Sequence, residues 1–188
     1  IEEALGGSKA AGIGVSYWGS ATINISNSTI KKVAGGNASA GIGGSRVQKD
    51  QTVPKPININ IVDSEITAFG GQYAAGIGSG YDTYCHGADV APVCTINIKG
   101  DSVINATGGK YAAGIGTGHH AGALAGVIEE TVTVNAKAGG ENGEGFYKDS
   151  YTTAQDVGFG VLDPAREAKD NSYSINYKGT IITVPEVQ

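Results

Sequence analysis

The segment Gly71-Gln72-Tyr73-Ala74-Ala75-Gly76-Ile77-Gly78-Ser79-Gly80 returns almost letter for letter as Gly109-Lys110-Tyr111-Ala112-Ala113-Gly114-Ile115-Gly116-Thr117-Gly118. Looser copies stand at Gly7-Ser8-Lys9-Ala10-Ala11-Gly12-Ile13-Gly14 and Gly36-Asn37-Ala38-Ser39-Ala40-Gly41-Ile42-Gly43, and Gly158-Phe159-Gly160 reads as a decayed last copy. Self-similarity of this kind marks a repeat architecture, in which a unit too small to bury its own apolar face stacks on its neighbours.

The unit is longer than its Gly-rich half. Thr22-Ile23-Asn24-Ile25, Ser28-Thr29-Ile30 and Gly35-Gly36 precede one copy; Asn58-Ile59-Asn60-Ile61, Ser64-Glu65-Ile66 and Gly70-Gly71 precede the next; Thr95-Ile96-Asn97-Ile98, Ser102-Val103-Ile104 and Gly108-Gly109 precede the third. From the first of these positions to the end of Gly-Ile-Gly the units measure 22, 21 and 22 residues. Three short strands and three tight corners in about 22 residues predict an all-β, parallel β-helix, one coil per unit, with the right-handed sense usual for parallel crossovers.

Alternation with period two assigns the interior. Ile23/Ile25, Ile59/Ile61, Ile96/Ile98 and Val132/Val134 are expected inside, with Asn24, Asn60, Asn97 and Thr133 as an outer column. In the Gly-rich strand Ala40/Ile42, Ala75/Ile77 and Ala113/Ile115 share the inward parity. The outward set is then Ser39-Gly41-Gly43, Ala74-Gly76-Gly78 and Ala112-Gly114-Gly116, a flank almost without side chains. Two explanations stay open: corners that need positive φ, or neighbouring loops or a ligand lying flat on bare backbone.

The pattern is interrupted at one corner, directly after each Gly-Ile-Gly, by insertions at 15–21, 44–57, 79–94 and 117–130. Insertions in a solenoid gather on one face that is often the binding face. Tyr17 and Trp18 lie in the first insertion, Tyr81, Asp82, Tyr84, Cys85, His86, Asp89 and Cys94 in the third, and His119 and His120 in the fourth. Aromatic faces beside Asn, Asp and His donors suit a pyranose, so Tyr17, Trp18, Tyr81, Asp82, Tyr84, His86, His119 and His120 are the candidate ligand-binding residues; loop anchoring is the competing reading of the rings. Cys85 and Cys94 are expected to bridge in an oxidising compartment, against a metal site of Cys85, His86 and Cys94 with a histidine from the next coil.

Charged residues make up only 16% of the chain, no run of 18 apolar residues occurs, and the formal net charge of −5 comes without a basic cluster. Neither disorder, membrane insertion nor nucleic-acid binding is expected. Ile1-Glu2-Glu3-Ala4-Leu5-Gly6-Gly7 matches Ile30-Lys31-Lys32-Val33-Ala34-Gly35-Gly36, so the sequence is expected to start within a coil, as part of a larger multidomain chain. Coils are expected over 1–163 and a terminating strand or cap over 164–188, where Ser174-Ile175-Asn176-Tyr177 repeats the Ile-Asn theme.

The coil Thr-Ile-Asn-Ile, Ser-x-Ile, Gly-Gly, Ala-Ala-Gly-Ile-Gly resembles the Gly-rich right-handed β-helix repeats of large surface proteins of Gram-positive, often gut-dwelling, bacteria. It is similar in plan to the GLUG-type repeats of secreted bacterial proteases and adhesins. The likeness covers residues 1 to about 160. It implies an extracellular, secreted or cell-surface module that serves as a stalk or spacer or binds glycan or host surface.

The same architecture houses polysaccharide lyases and glycoside hydrolases, which need clustered carboxylates. Asp63 and Asp101 sit at related turns and read as turn formers, since Asn27 takes the place in the first unit. An enzyme would have to draw on Asp82, Asp89, His86 and His119. The expectation is therefore a non-catalytic binding module without a cofactor, Ca²⁺ being the one candidate ion, and with the stalk as first alternative and the β-helix enzyme as second.

Overall fold

A computed structural model describes residues 1–17, 19–46, 55–81, 94–121, 123–139, 154–161 and 173–183. Its elements follow the repeat. After β1 (Ala4–Leu5) and β2 (Ile13–Gly14) come β3 (Ala21–Ser26), β4 (Thr29–Ala34) and β5 (Ile42–Gly43), then β6 (Ile57–Val62), β7 (Glu65–Phe69) and β8 (Ile77–Gly78). The next unit gives β9 (Cys94–Lys99), β10 (Val103–Lys110) and β11 (Ile115–Gly116), and the one after it β12 (Leu124–Ile128), β13 (Thr133–Gly139) and β14 (Val157–Gly158). The last strands are β15 (Ser174–Tyr177) and β16 (Thr180–Thr183).

The chain is all-β with parallel sheets, and it visits three of them in rotation. An Ile-Asn sheet has the order β16-β15-β12-β9-β6-β3, a Ser-Ile sheet the order β1-β4-β7-β10-β13, and a Gly-Ile-Gly sheet the order β14-β11-β8-β5-β2. Every ladder among these is parallel except that of β16, which turns back antiparallel on β15.

The register carries each column of side chains straight through the stack. Ile23, Ile59 and Ile96 pair in line, as do Ile25, Ile61, Ile98 and Ile128, and all are buried. Ile30, Ile66 and Ile104 form the core column of the Ser-Ile sheet, and Ile42, Ile77, Ile115 and Val157 that of the Gly-Ile-Gly sheet. On the outer face Asn60 Nδ2 donates to Asn24 Oδ1 at 2.9 Å and Asn97 Nδ2 to Asn60 Oδ1 at 3.0 Å, so the alternation assigned to these strands holds.

Four sequence expectations are corrected. Val132 and Val134 belong with β13, whose Val134 pairs with Ile104 of the Ser-Ile sheet. The Ile-Asn position of that repeat is taken by β12, inside the expected 117–130 insertion, with Leu124 opposite Cys94 and Gly126 opposite Ile96. A glycine in an isoleucine column and Val127 in the asparagine column erase the motif while the register persists. The decayed copy is Asp156-Val157-Gly158 rather than Gly158-Phe159-Gly160, because Val157 pairs with Ile115 and Gly158 with Gly116. The fourth correction is the bare flank. Ser39, Ala74 and Ala112 are wholly buried, and Gly41, Gly43, Gly76 and Gly78 are buried with them.

The physical reason lies in how the Gly-rich segments stack. Gly43, Gly78 and Gly116 hold φ of 129°, 140° and 137°, a range hostile to side chains. A Cβ on Gly78 would also run into the carbonyl oxygen of Gly116 in the next repeat. Both the positive-φ corner and the close neighbouring backbone are thus present, and what lies on the flank is the adjacent repeat. Each segment closes on itself through one further bond, Ala40 N to Gly44 O (2.8 Å), Ala75 N to Ser79 O (3.1 Å), Ala113 N to Thr117 O (3.0 Å) and Gln155 N to Phe159 O (2.8 Å).

Candidate functional site: a tyrosine–histidine corner

After its Gly-Gly pair each repeat turns through a residue in the left-handed region: Lys9 (φ 61°), Ala38 (64°), Tyr73 (69°) and Tyr111 (65°). A non-glycine residue costs ~1–2 kcal/mol there, and glycine or asparagine would avoid most of that. Two successive tyrosines are outliers of the type that gathers at functional sites.

The chain passes this corner again three residues after Gly-Ile-Gly. Tyr81 N donates to Ala38 O at 3.1 Å, His119 N to Tyr73 O at 2.9 Å and Val161 N to Tyr111 O at 2.8 Å, each reaching back one repeat. His120, itself at φ 58°, donates its amide to Val161 O at 2.9 Å. Stacking therefore brings residues distant in sequence into one cluster.

The rings are in mutual contact. Tyr73 lies 5.4 Å from Tyr81, 6.0 Å from Tyr111 and 5.7 Å from His119, measured between centroids, and its plane is 22° from that of Tyr111. His119 is 5.1 Å from Tyr111 and 5.6 Å from Tyr81, and the two histidine rings stand 3.7 Å apart. Two cations flank the group, the Arg46 guanidinium 5.2 Å from the Tyr81 centroid and Lys110 Nζ 4.8 Å from that of Tyr111. Tyr111, His119 and His120 are at most 9% exposed, whereas Tyr73 and Tyr81 are half-buried. The exposed ring surface of the corner is therefore that of Tyr73 and Tyr81, with Tyr111 and both imidazoles buried, an arrangement suited to recognition by stacking.

Of the candidates named from sequence, Tyr81, His119 and His120 come together here. Tyr17 lies apart on the first repeat, 38% exposed, with Lys9 Nζ 4.8 Å from its ring centroid. Trp18, Asp82, Tyr84, Cys85 and His86, with Asp89, lie outside the described residues. Tyr73 and Tyr111 escaped the sequence reading because they stand within the repeat itself. The signal for them was their identical place in consecutive copies, which a parallel stack turns into adjacency.

Cys94 was expected in an exposed loop and bridged to Cys85. Instead it opens β9 in register with Ile57 and Leu124, 2% exposed, with a free thiol. Inward parity places it in the core, where burial pushes the thiol up from 9.0 to about 12. Among the described residues no third His, Cys, Asp or Glu joins the histidines in a group able to hold a metal ion. Asp63 does act at a turn, at φ 47° with its Oδ1 accepting from Asp101 N at 3.0 Å; the equivalent turn residue in the next repeat is Gly100.

No protein family, curated protein or solved structure matches the chain.

Proposed function

We propose that the chain is a segment of right-handed parallel β-helix in an extracellular bacterial surface protein, and that it binds carbohydrate without transforming it. The observation that carries this reading is the ring cluster, in which Tyr73 and Tyr111 occupy costly left-handed positions where a glycine would serve the turn. The half-buried rings of Tyr73 and Tyr81, in contact with each other and backed by the buried Tyr111 and His119–His120 pair, support a stacking platform for sugar rings. Rotation of the strands through three sheets in constant register supports the β-helix.

The test is titration of the chain against a panel of oligosaccharides, with Tyr73→Ala and Tyr81→Ala as variants. Loss of one platform ring should weaken binding about tenfold, ~1.4 kcal/mol, with thermal stability nearly retained for Tyr81→Ala. A second reading, a purely structural stalk, is favoured by the burial of Tyr111, His119 and His120. Failure of every oligosaccharide to bind, together with a large loss of stability in both variants, would make it the better one.

A further inference from the structure

The last repeat breaks the order of the others. Ser174-Ile175-Asn176-Tyr177-Lys178-Gly179 follows the pattern of Thr95-Ile96-Asn97-Ile98-Lys99-Gly100, after which the earlier chain runs on into β10 of the Ser-Ile sheet. Here Lys178 (φ 52°) and Gly179 (φ 83°) instead form a hairpin turn that lays β16 back on β15. The Ile-Asn sheet therefore continues beyond β12, while the Ser-Ile sheet stops at β13, whose one ladder partner among the described residues is β10. The step between the two sheets is a groove of about 640 Å³, bordered by Val134, Asn135 and Ala136 of β13, Val157 of β14, Tyr177 of β15 and Ile182 of β16.

The backbone of β13 presents an open edge to this groove. Thr133 N and Gly139 N bond back to Ser102 O and Ala112 O, whereas Ala138 N faces the other way, where Asp156 Oδ1 accepts it at 2.7 Å. By the same alternation the N–H and C=O groups of Val134 and Ala136 point toward the groove. Their side chains are half-buried, although Ile104 and Ala106, one repeat earlier in the same columns, are at most 1% exposed. Asn135 Nδ2 donates to Asn105 Oδ1 at 3.0 Å, so a further asparagine in that column would donate to Asn135 Oδ1.

We propose that this groove is a docking site for an extended segment of another polypeptide, added as a further strand parallel to β13. Continuity with the existing ladder sets the chemistry of that segment. It carries an asparagine over Asn135, a β-branched apolar residue over Val134 and a small one over Ala136, as Ile104-Asn105-Ala106 and Val134-Asn135-Ala136 do within the chain. In this mode of recognition the backbone bonds to the sheet edge supply affinity, and the alternate side chains supply selectivity. The strand that the repeat would have laid here is the one that turned back as β16, which leaves the edge to a strand from elsewhere.

The probe is a fluorescein-labelled peptide Ser-Val-Ile-Asn-Ala-Thr-Gly, the sequence of residues 102–108, titrated against the full chain by anisotropy. In the free chain the amides of Val134 and Ala136 should exchange hydrogen at least about tenfold faster than those of Thr133 and Asn135, and the peptide should protect them. Replacing the peptide's asparagine by alanine should weaken binding about fivefold, the worth of one hydrogen bond. N-methylation of that asparagine, whose amide would meet Val134 O, should abolish binding; N-methylation of the isoleucine, whose amide faces away, should not. In the protein, Ala136→Pro removes a groove-facing N–H, leaves the ladder to β10 intact and should also abolish binding. Amides of Val134 and Ala136 already protected in the free chain would show the groove filled from within and overturn the proposal. Absence of peptide binding, or binding indifferent to N-methylation of the asparagine, would overturn it equally. Equal affinity of the asparagine and alanine peptides would overturn the chemistry assigned to the docking segment.

Discussion

Successive repeats meet in the Ile-Asn sheet through side chains: isoleucines pile up inside, and the Asn24–Asn60–Asn97 amides hand a hydrogen bond from repeat to repeat outside. At the Gly-Ile-Gly corner they meet through backbone, because Gly43, Gly78 and Gly116 leave no room for a Cβ between one carbonyl and the next. The same spacing is thus kept by two devices with different tolerances. Side-chain columns absorb substitutions, as when Gly126 and Val127 enter the isoleucine and asparagine columns of β12. The glycine column persists to Gly158 even where the rest of the motif has gone. Close packing of backbone also fixes where Tyr73, Tyr81, Tyr111 and His119 stand, which makes the less variable region the one that displays the rings.

The strongest way to break this contrast is Gly78→Ala. An added Cβ meets both an adverse φ of 140° and the Gly116 carbonyl, and the combined strain and overpacking should cost about 2–4 kcal/mol, read by chemical denaturation. Elsewhere Gly→Ala is commonly neutral or stabilising, so a cost below ~0.5 kcal/mol would remove the backbone-stacking argument.

A second test addresses the side-chain columns through Cys94. Below pH 9.0 its thiol keeps the proton in both folded and unfolded chains; between pH 9.0 and about 12 the unfolded chain releases it while the folded chain holds it. Stability should therefore fall with rising pH by about 1.4 kcal/mol per unit relative to a Cys94→Val variant. Parallel pH profiles for the two proteins, or ready alkylation of Cys94 in the native state, would place the residue outside the core.

The smallest effect is expected from Asn60→Ala, which deletes both ladder bonds, to Asn24 and from Asn97, at a solvent-facing site. A loss of about 1 kcal/mol is anticipated, with saccharide binding unchanged. A change in binding would move recognition from the corner to the Ile-Asn sheet.

Strand alternation made the interior of three repeats legible in the sequence, because Ile59, Ile61 and their counterparts carry the period in plain form. The fourth repeat was hidden: its strand Leu124–Ile128 lacks the asparagine and replaces an isoleucine with glycine, so only the ladder to β9 identifies it. The Gly-rich flank was misread for a related reason. Period two assigns side chains to faces, but glycines have none, and whether their backbone is bare or covered depends on the neighbouring repeat. For the site, sequence pointed to Tyr81, His119 and His120 through their place in insertions, and passed over Tyr73 and Tyr111 because a repeated residue reads as scaffold. Stacking makes neighbours of positions 38 residues apart, a relation that emerges only when the repeats are aligned as a column.

The most direct test of the account is a residue-resolved titration: amide chemical shifts of isotopically labelled protein, followed while the panel of oligosaccharides is added. Recognition at the corner predicts that the largest shifts fall on the amides of Tyr81, His119 and His120, with those of Asn24, Asn60 and Asn97 unmoved. Shifts concentrated on the asparagine column, or none with any probe, would contradict it.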